Sequence, residues 1–177
     1  QVKELAKLLD SLGIEAKNAI VPAGKKEFYP MSPAQKRMFI SHEMNKNETT
    51  YNEQTVIDFS FKVDESKLKY ALKEMIMRHE SLRTKFSNIN GEYVQEVMAE
   101  NTLDFNVVPY TQDYSEFVKP LNLRTGQTMR ARLLQGSECN SLFIDKHHII
   151  TDGTSEEIFY QELGKLYAGN HLDAYDL

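Results

Sequence analysis

Two adjacent histidines, His147 and His148, stand at the end of an apolar segment and constrain the fold of the chain most strongly. The apolar residues 142–144 just before them are typical of a β-strand. Residues 154–157, Thr-Ser-Glu-Glu, have the spacing of a capping box and predict that a helix begins there. The histidines therefore lie where a strand passes into a helix. Because successive strand side chains point to opposite faces, the two imidazoles are expected to have different roles.

The residues at this junction predict proton transfer. An imidazole, with an unperturbed pKa of about 6.5, can accept and return a proton near neutral pH, and a positioned group of this kind contributes roughly 10²–10⁴-fold in rate. Asp152 is predicted to hold the loop through an ion pair or backbone hydrogen bonds, and Gly153 to supply a positive φ or a close backbone approach. A structural histidine and a metal site with three ligands are the alternatives. Diverging strand positions and the single cysteine argue against the metal.

Three segments of the chain resemble the core motifs of condensation domains from nonribosomal peptide synthetases, in that family's order. Residues 147–153 match HHxxxDG, residues 32–39 match SxAQxR with its apolar continuation, and residues 78–86 match RHExLRTxF. The resemblance runs from about Tyr29 to near the C-terminus. It implies the fold of a single chloramphenicol-acetyltransferase-like lobe.

The order of the elements predicts an α/β fold, a two-layer sandwich with one mixed sheet covered by helices. A helix is predicted to begin at Ser32, with Gln35 completing a capping box, and the last helix is predicted to bury Ile158 and end at Gly169. Strands are predicted at residues 54–63, 93–98 and 103–108, and a hairpin at residues 128–134 and 142–148.

The resemblance also divides the chain into parts. Residues 29–177 correspond to the N-terminal lobe of a condensation domain. Residues 1–13 are predicted to form an amphipathic helix, either a possible remnant of the last helix of an upstream carrier domain or an unrelated helix. Residues 14–28 are predicted to form a linker. Condensation domains have two such lobes with the active site at their junction. The C-terminal lobe is therefore expected to be missing, and the isolated chain to be inactive.

Composition excludes several classes of protein. A chain of 177 residues with 41% hydrophobic and 27% charged residues is typical of one compact globular domain. A net charge of −5 without a basic-aromatic stripe argues against nucleic-acid binding. No apolar run reaches membrane-spanning length and no signal peptide is visible, so no membrane partner is expected. Cys139 cannot form an internal disulfide, and a cytoplasmic location is the simplest expectation.

The resemblance implies amide formation between a donor acyl thioester and an acceptor aminoacyl thioester. Upstream and downstream carrier domains would bring both substrates on phosphopantetheine, so no directly bound cofactor is expected. His148 would deprotonate or orient the acceptor amine, and His147 would anchor the loop. The backbone N–H of Gly153 is a candidate oxyanion contact.

Two arginines are expected to support the site. The resemblance suggests Asp152 as their ion-pair partner, with Arg78 as the first candidate and Arg83 as the second. A partly buried guanidinium needs a carboxylate, which fits this assignment. Solvent-exposed arginines near Glu80 are the alternative.

Three other functions remain open from the sequence. An epimerisation domain shares the HHxxxDG motif, and a CoA-dependent acyltransferase lobe shares the core geometry. A non-catalytic docking module for a carrier protein would need neither histidine for chemistry.

Overall fold

The structure is a computed structural model that describes residues 23–137 and 139–172. Its α-helices are α1 (Pro33–Met44), α2 (Glu65–Arg78) and α3 (Gly153–Tyr167), and short 3₁₀ helices span Glu80–Arg83 and His148–Ile150. Its strands are β1 (Tyr29–Pro30), β2 (Asn52–Phe59), β3 (Thr84–Ile89), β4 (Glu92–Val97), β5 (Asp104–Pro109), β6 (Met129–Gln135) and β7 (Asn140–His147). The predicted helix at residues 1–13 and the linker up to residue 22 lie outside the described residues. None of the described helices is long and apolar enough to span a membrane.

The described strands form two sheets. The larger sheet has the order β2-β7-β6-β5, with β5 and β6 parallel and the other pairs antiparallel. The smaller sheet has the order β1-β4-β3 and is antiparallel. The α/β class and the mixed sheet are therefore confirmed. The prediction of a single sheet is wrong, because periodicity shows which face of a strand is buried but not which strands pair.

The predicted start of helix α1 is confirmed. The Oγ of Ser32 accepts a hydrogen bond from the backbone N–H of Gln35, and the Gln35 side chain accepts one from the backbone N–H of Ser32. Pro33 occupies the first turn, where its missing N–H has no helical partner to lose. This capping box fixes the point at which the helix enters the fold.

Helix α3 begins earlier than predicted. Asp152 is its N-cap and Gly153 its first residue, so the helix does not start from a cap within residues 154–157. The reason is that the Asp152 carboxylate already accepts a hydrogen bond from the Ser155 backbone N–H at 2.8 Å. The C-terminal end is confirmed, since Gly169 adopts a φ of +84° directly after the helix.

The core lies between the helices and the larger sheet. All eight residues of β7 are buried, so both faces of this strand are covered. On one face Leu142 and Ile144 join the core cluster together with helix residues. On the other face Phe143 stacks on Tyr114, with ring centroids 5.7 Å apart. The apolar residues 142–144 in the middle of the strand therefore pack on both sides of the sheet.

One residue of the predicted core faces outward. Phe159 and Leu163 of α3 are buried, whereas Ile158 is 42% exposed. Positions 159 and 163 lie one turn apart on a single stripe, and residue 158 is rotated about 100° away from it. The prediction that Ile158 points inward is therefore wrong.

A buried ion pair connects three strands of the larger sheet. The carboxylate of Asp145 accepts hydrogen bonds from Arg130 at 3.2 Å, Asn52 at 2.9 Å and Gln54 at 3.3 Å. The Arg130 guanidinium also donates to carbonyl oxygens in the segment 117–120. Burial raises the pKa of Asp145, while the amides and the guanidinium oppose that shift. The Arg130–Asp145 pair therefore fastens the segment 117–120, which covers this face, to the larger sheet.

We expect Arg130→Met to destabilise the chain by roughly 3–5 kcal/mol, because it leaves the Asp145 carboxylate buried without its cation. Urea unfolding followed by circular dichroism measures this loss. The double variant Arg130→Met/Asp145→Asn should recover much of it, since the uncompensated carboxylate is removed as well. As a control, Arg124→Met removes a more exposed guanidinium paired with Glu43 and should cost less than about 1 kcal/mol. Equal losses from the two single variants would contradict the interpretation.

Candidate functional site

The histidine loop begins at the last residue of β7 and continues through a 3₁₀ turn into α3. The backbone N–H of His148 donates to the Tyr51 carbonyl at 2.8 Å, which extends the pairing with β2 one residue beyond the strand. The strand alternation therefore still applies at both histidines. His147 is 1% exposed, whereas the side chain of His148 is 44% exposed. The two rings therefore lie in different surroundings, and their different roles stay a prediction.

His147 is a buried, neutral anchor of the loop. Its Nδ1 accepts a hydrogen bond from the backbone N–H of Ile149 at 3.1 Å. The ring lies 5.4 Å from that of His42 in an edge-on arrangement, and 5.9 Å from that of Tyr51. Burial lowers the pKa of His147 to about 4, and the neighbouring histidines act in the same direction. Near neutral pH the ring is therefore uncharged, with its proton on Nε2.

His148 presents its imidazole at the surface beside a carboxylate. Its Nδ1 lies 3.0 Å from Oε1 of Glu53, a residue near the start of β2. This contact leaves Nε2 as the ring nitrogen that an incoming substrate can meet. Of the two histidines, only His148 has the exposure that proton transfer to a substrate requires.

Asp152 holds the loop through helix capping. Its Oδ1 accepts hydrogen bonds from the backbone N–H of Ser155 at 2.8 Å and from the Ser155 hydroxyl at 2.7 Å. These bonds lower the pKa of Asp152, to which the neighbouring His148 adds a smaller contribution. The prediction that Asp152 orders the loop by backbone hydrogen bonds thus agrees with the structure.

The predicted ion pairs of Asp152 with Arg78 or Arg83 are wrong. The Nε of Arg78 lies 3.0 Å from the carboxylate of Glu162, farther along α3. Arg83 donates to the Met98 carbonyl at 2.6 Å. Asp152 is exposed at the tip of α3, where the helix N-terminus already satisfies its carboxylate. This ion pair links Arg78 of α2 to α3.

Gly153 does not have the predicted backbone conformation. It is the first residue of α3 and is not among the described glycines with positive φ. A Cβ built on it would meet no atom within 4 Å, so no close backbone approach occurs there either. As the first helical residue it has a backbone N–H without an intrahelical partner. Its role as an oxyanion contact stays a prediction.

A second anchor of the loop was not found from the sequence. Lys146 is 1% exposed, and its Nζ lies 2.6 Å from Oε1 of Glu156 in α3. The same oxygen accepts a hydrogen bond from the Thr151 hydroxyl at 2.5 Å. Burial alone would raise the pKa of Glu156, but the Lys146 ammonium and the Thr151 hydroxyl outweigh it and lower that pKa. The signal in the sequence is a lysine within the strand predicted at residues 142–148.

The SxAQxR segment meets the same loop from the other side. The Gln35 side chain, which caps α1, also lies with its Nε2 3.4 Å from the Ile149 carbonyl. Two of the three motifs therefore converge on the turn that follows the histidines.

The surroundings of the loop are open. A cleft of about 250 Å³ lies beside it, lined among others by Ser81, Thr151 and Ile158. Across residues 23–137 and 139–172, no group of three histidine, cysteine, aspartate or glutamate side chains is placed to hold a metal ion.

Comparison with known proteins agrees with the motifs. Residues 25–175 match the family model described as the condensation domain. Surfactin synthase subunit 2 of Bacillus subtilis (strain 168) is 35% identical over 178 residues, which cover 97% of this chain and 5% of that protein. Gramicidin S synthase 2 of Brevibacillus brevis is 37% identical over 179 residues, with 97% and 4% covered. The chain thus spans a small part of these relatives.

Solved structures show the same fold. The starter condensation domain of the rhizomide synthetase RzmA superposes with a TM-score of 0.75 at 18% identity, covering 86% of this chain and 42% of that one. The condensation domain of the Monacolin K polyketide synthase MokA gives a TM-score of 0.72 at 20% identity, covering 89% and 37%. The chain spans less than half of each solved domain, and the predicted chloramphenicol-acetyltransferase-like fold is confirmed.

The buried state of His147 makes stability depend on pH. An unfolded histidine titrates near pH 6.5, whereas His147 in the fold has a pKa of about 4. Between these values the unfolded state binds more protons, so stability falls as pH falls. From pH 7 to pH 5 this group should cost about 2 kcal/mol. Urea unfolding at both pH values should show a loss that His147→Asn lacks, and an equal loss in the variant would contradict it.

Capping by Asp152 can be separated from its charge. Asp152→Ala removes the acceptor for the Ser155 N–H and should lower the thermal midpoint by roughly 2–4 °C. Asp152→Asn keeps an acceptor oxygen and should retain most of the midpoint, because Asn is as good an N-cap as Asp. Differential scanning calorimetry of the three chains measures this. A large loss in Asp152→Asn would mean that an ion pair, not the cap, holds the loop.

Proposed function

Because the chain belongs to the condensation-domain family, we propose that it forms one lobe of an acyltransferase that joins a donor acyl group to an acceptor amine. The observation that carries the proposal is the position of His148. Its imidazole is exposed at the end of a buried strand, on a loop anchored by His147, Asp152 and Lys146. Such preorganisation is what a group acting on a substrate needs.

The reaction proposed is amide formation from two thioesters. The amine of an aminoacyl thioester attacks the carbonyl carbon of a donor acyl thioester and forms a C–N bond. The C–S bond of the donor breaks, and the proton lost by the amine ends on the released thiol. An α-amino group in an unstructured peptide has a pKa of about 7.7–8.0, so near neutral pH it loses its proton easily. Holding the two reactants in register then supplies a large part of the acceleration.

His148 is proposed to contact the attacking amine through Nε2. At this position the imidazole either takes the amine proton as the C–N bond forms or orients the amine and steadies the tetrahedral intermediate. The backbone N–H of Gly153 is proposed to donate to the oxyanion of that intermediate, because the first N–H groups of a helix have no intrahelical acceptor.

The site is proposed to be completed by a second lobe. The chain corresponds to 42% of the solved RzmA domain, which supports a partner lobe of similar size. The exposed face at His148 and the open cleft beside the loop fit a surface that such a lobe would cover. Upstream and downstream carrier domains would deliver both thioesters on phosphopantetheine, and neither substrate would need a metal or a directly bound cofactor.

We expect His148→Ala to lower the rate of amide formation by roughly 100-fold or more, because it removes the group that meets the amine. The assay uses the polypeptide that joins this lobe to its second lobe, with both carrier proteins loaded, and detects the product by mass spectrometry. His171→Ala is the matched control, since it removes an exposed histidine beyond α3. It should leave the rate unchanged.

Three outcomes would contradict the proposal. Normal product from His148→Ala would remove the imidazole from the reaction. Inversion of a carrier-bound amino acid without amide formation would favour an epimerisation domain. Rapid turnover by this chain without a second lobe would overturn the need for that lobe.

A further inference from the structure

Strand register places Glu53 beside the exposed imidazole. In the β2–β7 pairing Asn52 lies opposite His147 and Glu53 opposite Lys146. The hydrogen bond from His148 to Tyr51 continues this register by one pair, so Glu53 is the diagonal neighbour of His148 on the same face. Diagonal neighbours of an antiparallel pair are within reach of long side chains.

The Glu53 carboxylate lies within ion-pair distance of His148 and also interacts electrostatically with Lys146. The side chains of Asn52 and Gln54 both bind Asp145 on the opposite face of the sheet. Lys146, directly across from Glu53, is held by Glu156 at 2.6 Å. The Glu53 carboxylate extends instead along its own face to Nδ1 of His148, at 3.0 Å.

We propose that Glu53 is a positioning residue that holds the His148 proton on Nδ1 and turns the Nε2 lone pair outward. This inference rests on the proposed function, because it assigns a supporting group to the same imidazole. A carboxylate beside one ring nitrogen accepts the N–H from that nitrogen and thereby fixes both the tautomer and the ring orientation. An imidazole side chain free in water favours the opposite tautomer, with the proton on Nε2.

The other charged groups near His148 do not supply this function. Asp152 interacts electrostatically with His148, but its carboxylate binds the Ser155 N–H and hydroxyl at the helix cap. His147 is neutral and buried on the other side of the strand end. Among the described residues, Glu53 is thus the acidic side chain that lies within ion-pair distance of the His148 ring.

The arrangement has a direct chemical consequence. With the proton on Nδ1, the Nε2 lone pair can accept the proton of an attacking amine or accept a hydrogen bond from it. If the proton is transferred, both ring nitrogens carry hydrogen, and the resulting positive charge lies beside the Glu53 carboxylate. The imidazolium then returns a proton to the leaving sulfur, which regenerates the starting tautomer.

Ring-nitrogen NMR of this chain tests the tautomer without any activity assay. On the ¹⁵N-labelled chain, two-bond ¹H–¹⁵N spectra above the titration range of imidazole distinguish Nδ1–H from Nε2–H, and His148→Ala identifies the signals. We expect Nδ1–H in the parent chain, Nε2–H in Glu53→Ala, and an intermediate population in Glu53→Gln, which keeps an acceptor oxygen. Glu92→Ala removes the same charge from the smaller sheet and should leave the tautomer unchanged.

Kinetics in the two-lobed polypeptide test the consequence. Glu53→Ala should lower kcat by roughly tenfold with little change in KM, because orientation and not substrate binding is lost. Glu53→Gln should recover part of that rate. An unchanged tautomer in Glu53→Ala would overturn the inference whatever the activity, and so would a changed tautomer with an unchanged kcat. Failure of the proposed function is distinct, since it appears as normal amide formation by His148→Ala.

Discussion

Charged side chains of β7 must find partners inside the protein, because the strand is covered on both faces. Asp145 and Lys146 are no more than 1% exposed, and an unpaired charge at either position would be strongly unfavourable. Alternation sends the two residues to opposite sides. Asp145 meets Arg130 under the segment 117–120, and Lys146 meets Glu156 on α3. Each pair joins one covering layer to the sheet, so the strand that carries the histidines is fixed from both directions.

The same alternation explains why neighbouring histidines behave differently. His147 follows Asp145 onto one face, where burial keeps its ring neutral, and a backbone N–H from Ile149 makes Nδ1 an acceptor. His148 follows Lys146 onto the other face, where Nδ1 faces the carboxylate of Glu53. The N–H donor beside Nδ1 of His147 and the carboxylate acceptor proposed for Nδ1 of His148 favour opposite tautomers of the two rings. The two-residue period of the backbone thus gives adjacent histidines one buried and one exposed environment.

Features that depend on a few consecutive residues were predictable from the sequence. The strand-to-helix junction at the histidines, the capping box of Ser32 and the β6–β7 hairpin all follow from local patterns. The proposed pairing of Arg78 with Asp152 failed because it joins distant segments through the packing of α2 on α3. That packing brings Glu162 to the arginine, while Asp152 is satisfied within its own helix turn. Periodicity contains no information on such a choice.

The main effect of the Lys146–Glu156 pair is to fix the position of the histidine loop and α3 against β7, and its contribution to stability is secondary. A buried ion pair often contributes no more than well-packed apolar residues of similar volume, because desolvation offsets its attraction. An apolar pair at these positions would fill the space but would leave the Thr151 hydroxyl without its acceptor. With the ion pair in place, the end of the histidine loop and the first turn of α3 have one defined position against β7. Since Asp152 sets only the cap of that helix, the Lys146–Glu156 pair and His147 together connect the loop to the strand from which His148 projects.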